Sequence, residues 1–170
     1  MQLVLNNMRK LLLLLIVALS CGISHSYAQK VEVKDDHILA DGAEYAQIEK
    51  DGCGAFDPQC LYYIADASGK RQLTIKRMDY KDPQVDNALG GQVLYLEFVF
   101  LKSGARAETE YPSVLALKAK DIAKLVVKAQ LFKNGQLDPE AVDAFVTGHG
   151  TPHSDRRAEL KAPRTIIIER

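Results

Sequence analysis

Hydrophobic period changes once along this chain, at Pro112, and that single change restricts the architecture more than any motif does. Before it, apolar residues recur every second position; after it they recur every three or four. A period of two belongs to strands and a period near 3.6 to helices. Strands first and helices last predict an α+β domain. It has an N-terminal antiparallel β-sheet, a meander of hairpins, followed by two C-terminal helices packed on one face.

The strand half reads in pairs. Val31 and Val33 alternate with Glu32 and Lys34, and Ile38-Leu39-Ala40 follows the polar Asp35-Asp36-His37 as a turn or bulge. Asp41-Gly42 separates that segment from Tyr45-Ala46-Gln47-Ile48, and Asp-Gly readily takes the positive φ values of a tight hairpin. Leu61 to Ala65 and Gln72 to Met78 form another pair, joined around Ser68-Gly69. After a polar loop ending in Gly90-Gly91, residues Val93 to Leu101 are apolar on both faces, which predicts a central, doubly covered strand. Ser103-Gly104 turns it back towards Ala107 to Tyr111.

Beyond Pro112, Val114, Leu115, Ile122, Leu125, Val126, Ala129 and Phe132 share one side of a helical spiral. Lys120, Lys124 and Lys128 fall on the other side and read as its wet face, with an acidic lipid or anionic glycan as the alternative partner. Asn134-Gly135 reads as the helix stop. A second helix follows, capped by Asp138, with Pro139 in its first turn and Val142, Phe145 and Val146 on its apolar side. Gly148 and Gly150 end it. Thr151 to Lys161 are polar with little to pack, and Thr165-Ile166-Ile167-Ile168 offers a last strand or an adhesive end.

The first residues have a different purpose. Arg9 and Lys10, the aliphatic run Leu11 to Leu19 and the small residues up to Ala28 are the three parts of a secretory signal. The run is too short to span a bilayer, which takes about 20 residues. Ser26-Tyr27-Ala28 predicts cleavage between Ala28 and Gln29. A looser lipoprotein box, Ala18-Leu19-Ser20-Cys21, would instead lipidate Cys21. The expected organisation is a signal peptide at 1–28, one α+β domain at 29–150, and a polar tail at 151–170 with a possible strand at 165–169. Cleavage leaves 142 of the 170 residues, enough for one core without a metal or disulfide lattice. It removes two of 22 basic residues and none of 22 acidic ones, for a net charge of −2. So neutral a domain is a poor match to nucleic acid, whose affinity rests on neutralised phosphates.

Candidate chemistry is sparse. Cys53 and Cys60 bracket a short loop between two strands, and an even thiol count in an exported chain favours a disulfide over a redox pair or inert thiols. His149 and His153 have a zinc-like gap, but the cysteine gap exceeds that of a zinc knuckle, so neither metal nor other cofactor is expected. There is no Gly-x-Ser-x-Gly elbow, and Ser154 lies in the polar tail. Glu108 and Glu110, like Asp35 and Asp36, read as solubilising charge rather than an acid–base pair. Gly90-Gly91 precedes a strand and is not a phosphate loop. Tyr62, Tyr63, Tyr80 and Tyr95 lie on or beside the sheet as core or rim residues.

Three segments, Ala28-Gln29, Asp41 to Glu49 and Asn134 to Glu140, resemble small exported proteins of Bacteroidota bacteria over roughly residues 29–150. The resemblance implies a Gram-negative envelope setting, periplasmic or beyond, and carries no site residue over. The expectation from sequence is therefore a non-catalytic envelope module that binds another protein or a glycan and has no permanent membrane span. The rivals are a small hydrolase or thiol-redox protein using Cys53 or His149, and a lipoprotein tethered through Cys21.

Overall fold

In the computed structural model, which describes residues 29–52, 60–111 and 117–162, seven strands lie side by side in the order they occur in the chain. They are β1 (Val31–Lys34), β2 (His37–Ala40), β3 (Ala43–Asp51), β4 (Leu61–Ala65), β5 (Arg71–Lys81), β6 (Gln92–Phe100) and β7 (Arg106–Glu110). Every neighbouring pair is antiparallel, as short connections require. Two connections are two-residue turns with both residues at positive φ: Asp35 and Asp36 (48° and 63°), and Asp41 and Gly42 (52° and 82°). That backbone twists with the strands it joins, which is why Asp-Gly is a reliable hairpin signal.

Strand alternation sorts the side chains into two faces. Ile38, Ala46, Ile48, Tyr62, Ile64, Leu73, Ile75, Leu96, Phe98, Phe100 and Ala107 form one continuous buried face. Helix α1 (Ala119–Lys128) covers it with Ile122, Ala123, Val126 and Val127, while Lys120, Lys124 and Lys128 are exposed as the helical period predicts. Tyr62 donates its hydroxyl to the Leu117 carbonyl at 2.6 Å, tying the start of α1 to the middle of the sheet. Helix α2 (Pro139–His149) packs on the same face, with the Asp138 side chain accepting from the Glu140 amide at 3.0 Å. Phe145 meets Phe98 edge-on at 5.0 Å and Phe100 at 6.3 Å. The α+β architecture follows from the change of period at Pro112. Among the described residues, no helix is long and apolar enough to cross a membrane.

Three details differ from expectation. Helix α1 ends at Lys128, and Gln130 enters the left-handed region at φ 52°. The apolar period continues through Leu131 and Phe132 only because both are buried after the helix has ended. Asn134-Gly135 is therefore not a helix stop. With φ of 52° and 72° it turns a small hairpin between β8 (Phe132–Lys133) and β9 (Gln136–Leu137). That hairpin docks on the β4–β5 turn, where the Ala67 amide donates to the Gly135 carbonyl at 2.9 Å.

The second difference is β6, which lies one place in from the edge rather than at the sheet centre. The third is the tail. Residues 152–161 form a third helix, α3 (Pro152–Lys161), in which no residue is buried. It does not join α1 and α2: its contacts include Tyr95 and Glu108, whose side chains alternate away from the core face. The helices thus lie on both faces of the sheet. Ala28, Cys21, Cys53, Val114, Leu115 and the 165–169 segment lie outside the described residues.

Candidate functional site

The passage from α2 to α3 wraps the β7 edge of the sheet. Gly150 makes the turn at φ 56° and ψ −152°, a backbone that suits glycine, and its carbonyl accepts from the Glu108 amide at 2.9 Å. From there α3 runs across the opposite face and is held there by polar ties. Its own N-cap residue, Thr151, makes no side-chain capping bond. Glu108, only 2% exposed, takes that role from a distant strand. Its carboxylate accepts from the His153 amide at 2.8 Å, the Ser154 amide at 3.1 Å, and the Ser154 hydroxyl. An anion at a helix N-terminus satisfies orphan N–H groups and the helix dipole together.

The second tie is an ion pair. Arg156 grips Asp82 with Nε at 2.7 Å and Nη2 at 3.2 Å, and the same Nη2 reaches Gln84 Oε1 at 2.7 Å. Hydrogen bonding from Arg156, then from the Gln84 amide, holds the Asp82 carboxyl below the usual carboxylate range. The third tie is aromatic. The His153 ring stacks on Tyr95 at 4.7 Å and 21°, and Tyr80 meets Tyr95 edge-on at 6.1 Å. Tyr95 is fully buried beneath the helix, and its hydroxyl has no hydrogen-bond partner among the described residues.

These ties frame a cleft of about 490 Å³ where the β5–β6 loop, β7 and the start of α3 converge. Tyr80, Val85, Leu89, Leu94, Tyr111 and His153 supply most of its wall. Val85 and Leu89 are 37% and 38% exposed, and they are two of the three large hydrophobic residues exposed among those described. An apolar pair left in water beside a concave surface marks a binding site more often than scattered exposure does. The loop is held by its own polar turns. The Asn87 carboxamide oxygen accepts from the Leu89 and Gly91 amides, both at 3.0 Å, and Gly91 at φ 85° lets Asp82 pass closely. Burial pushes the Tyr80 hydroxyl's pKa up, with Asp82 adding to the effect. Tyr80 therefore stays neutral.

The residues singled out from sequence are dispersed by the fold. His149 packs on the Phe145 ring at 4.4 Å, on the face of α1 and α2, while His153 lies on the other face. Cys60 is buried just ahead of β4, and its candidate partner Cys53 lies outside the described residues. Among the described residues, no three His, Cys, Asp or Glu side chains gather as metal ligands. Glu108 corrects the reading of an edge carboxylate as solubilising charge, since it is buried and caps α3; its neighbour Glu110 is exposed and lines the cleft. Ser154 is likewise part of the α3 cap rather than a loose tail residue. Val85 and Leu89 carry no sequence signal beyond being apolar in a polar loop. Comparison with family models, with curated proteins and with solved structures finds no match to this chain.

Proposed function

We infer that this chain is an exported binding module of the bacterial envelope, acting without chemistry of its own, and that it binds at the cleft between the β5–β6 loop and α3. The observation that carries this reading is the coincidence of an apolar concavity with the exposed Val85 and Leu89. Both side chains would gain by being covered, at about 25 cal/mol for each Å² of apolar surface removed from water. The partner is an envelope component that presents a compact apolar group. Export follows from the signal at residues 1–28, and with it a Cys53–Cys60 disulfide that staples the β3–β4 connection and stabilises the fold by about 2.5 kcal/mol.

Two measurements test this. Nile red, a neutral apolar dye, should fluoresce on binding the mature protein, and Leu89→Asp should abolish that signal without lowering the melting temperature. Undiminished dye binding by the variant would place the binding surface elsewhere. The intact mass of protein from its native envelope should begin at Gln29 and gain two hydrogens on reduction. A lipid-bearing mass beginning at Cys21 would replace release with tethering, and free thiols would return Cys53 to consideration for chemistry.

A further inference from the structure

We propose that the cleft takes a small amphiphilic amine, a compact apolar body with a single cationic nitrogen directed at Glu110. This rests on the binding reading above and adds the chemical class of the ligand.

Charge decides the sign. Among the described residues, Glu110 is the one carboxylate in the cleft wall, and neither lysine nor arginine joins it. An anionic ligand would meet that carboxylate with no strong base to offset the repulsion. A phosphate or carboxylate group would also find the nearby α3 N-terminus already filled, since the His153 and Ser154 amides both donate to Glu108. Arg156, on the helix beside the cleft, is likewise engaged, bound to Asp82, Gln84 and Glu159. A wholly apolar ligand would bind through Val85, Leu89 and their apolar neighbours alone and would leave the Glu110 carboxylate without a partner. A single cation satisfies it.

The aromatic lining agrees with that sign. Tyr80 and Tyr111 both contribute to the wall, and ring faces attract cations through their quadrupoles. Tyr80 keeps its proton, so no phenolate adds a second negative charge. A dication would leave one of its charges facing Val85, Leu89, Val93 or Leu94. Those four residues instead suit an aryl or short alkyl body, and about 490 Å³ lies within the range of small-molecule pockets.

A matched series with one aryl body tests the assignment: phenethylamine, phenylethanol and phenylacetate, titrated into isotopically labelled mature protein and followed by amide chemical shifts. Phenethylamine should move the Val85, Leu89, Glu110 and His153 amides and bind about tenfold more tightly than phenylethanol, the sum of a solvent-exposed ion pair and a cation–π contact. Phenylacetate should bind most weakly. Glu110→Gln, a change at an exposed position, should reduce phenethylamine to the affinity of phenylethanol and leave phenylethanol unchanged. Equal affinities across the series, or an amine preference that survives Glu110→Gln, would overturn the ligand class while leaving the binding reading in place. Failure of all three compounds to shift those amides would overturn both.

Discussion

Replacing Glu108 with alanine should release α3 while leaving the sheet folded. The carboxylate accepts from two first-turn amides and the Ser154 hydroxyl. Its loss removes an N-cap, which costs about 1 kcal/mol. It also removes a negative charge from a helix N-terminus, worth about another 1 kcal/mol in a partly buried setting. Helix α3 has little with which to resist, because none of its residues is buried and a helix of ten residues is marginal by itself in water. A loss of about 2 kcal/mol corresponds to roughly a 30-fold rise in the open population. Hydrogen exchange reads this directly. The amides from Asp155 to Lys161 should lose about 30-fold in protection, while those of β5 and β6 keep theirs. Glu108→Gln, which retains an acceptor but not the charge, should lose about half the free energy. If α3 protection changes less than about threefold in the alanine variant, the carboxylate is not what holds the helix. If β5 and β6 lose protection equally, α3 is not a separable unit.

Three further outcomes follow from the same contacts. Tyr62→Phe should lower unfolding free energy in urea by about 1–2 kcal/mol, because the Leu117 carbonyl then loses a buried donor. Gly91→Ala should destabilise by at least about 1–3 kcal/mol and abolish binding at the cleft, since the residue sits at φ 85° and an added Cβ would lie 2.6 Å from the Asp82 carbonyl oxygen. Calorimetry of the Ala variant against the parent checks the first effect, and the Nile red signal checks the second. On acidification, Asp66 and Asp82 should both weaken the fold. The Ser68 hydroxyl, followed by Gln72 and the Lys70 and Ser68 amides, holds Asp66 below the ordinary value; Arg156 does the same for Asp82. A carboxyl depressed in the folded state contributes stability above its unfolded value, about pH 4, and loses it as the pH falls through the lower folded value. The melting temperature should therefore drop below about pH 4, and less steeply in an Asp82→Asn variant, whose starting stability is already lower.

The backbone of this protein is largely written in local patterns. Val31 to Tyr111 alternates strongly enough to place all seven strands of the sheet. Asp41-Gly42 names its own turn because few other residue pairs hold two successive positive φ values cheaply. Asp138 and Pro139 announce α2 by the geometry of a helix start, and the Lys120, Lys124 and Lys128 row marks the wet side of α1. Each of these signals involves residues within a turn or two of one another, so a one-dimensional reading captures them.

Asn134-Gly135 shows where locality becomes ambiguous. The same dipeptide can stop a helix or turn a hairpin, and the choice depends on Gln130 having already ended α1 and on the β4–β5 turn receiving the Gly135 carbonyl. Helix α3 is a stronger case. Its sequence is polar and without an apolar face, because its anchors are Glu108, 45 positions before His153, and Asp82, 74 positions before Arg156. A hydrogen bond or ion pair between distant residues leaves no periodic trace, whereas burial along an element does. The cleft depends on the same long-range ties, since it exists only where α3 is pinned beside the β5–β6 loop. Local alternation and capping therefore carried the sheet, α1 and α2, while polar contacts across the fold decided the third helix, the burial of Tyr95 and the candidate site.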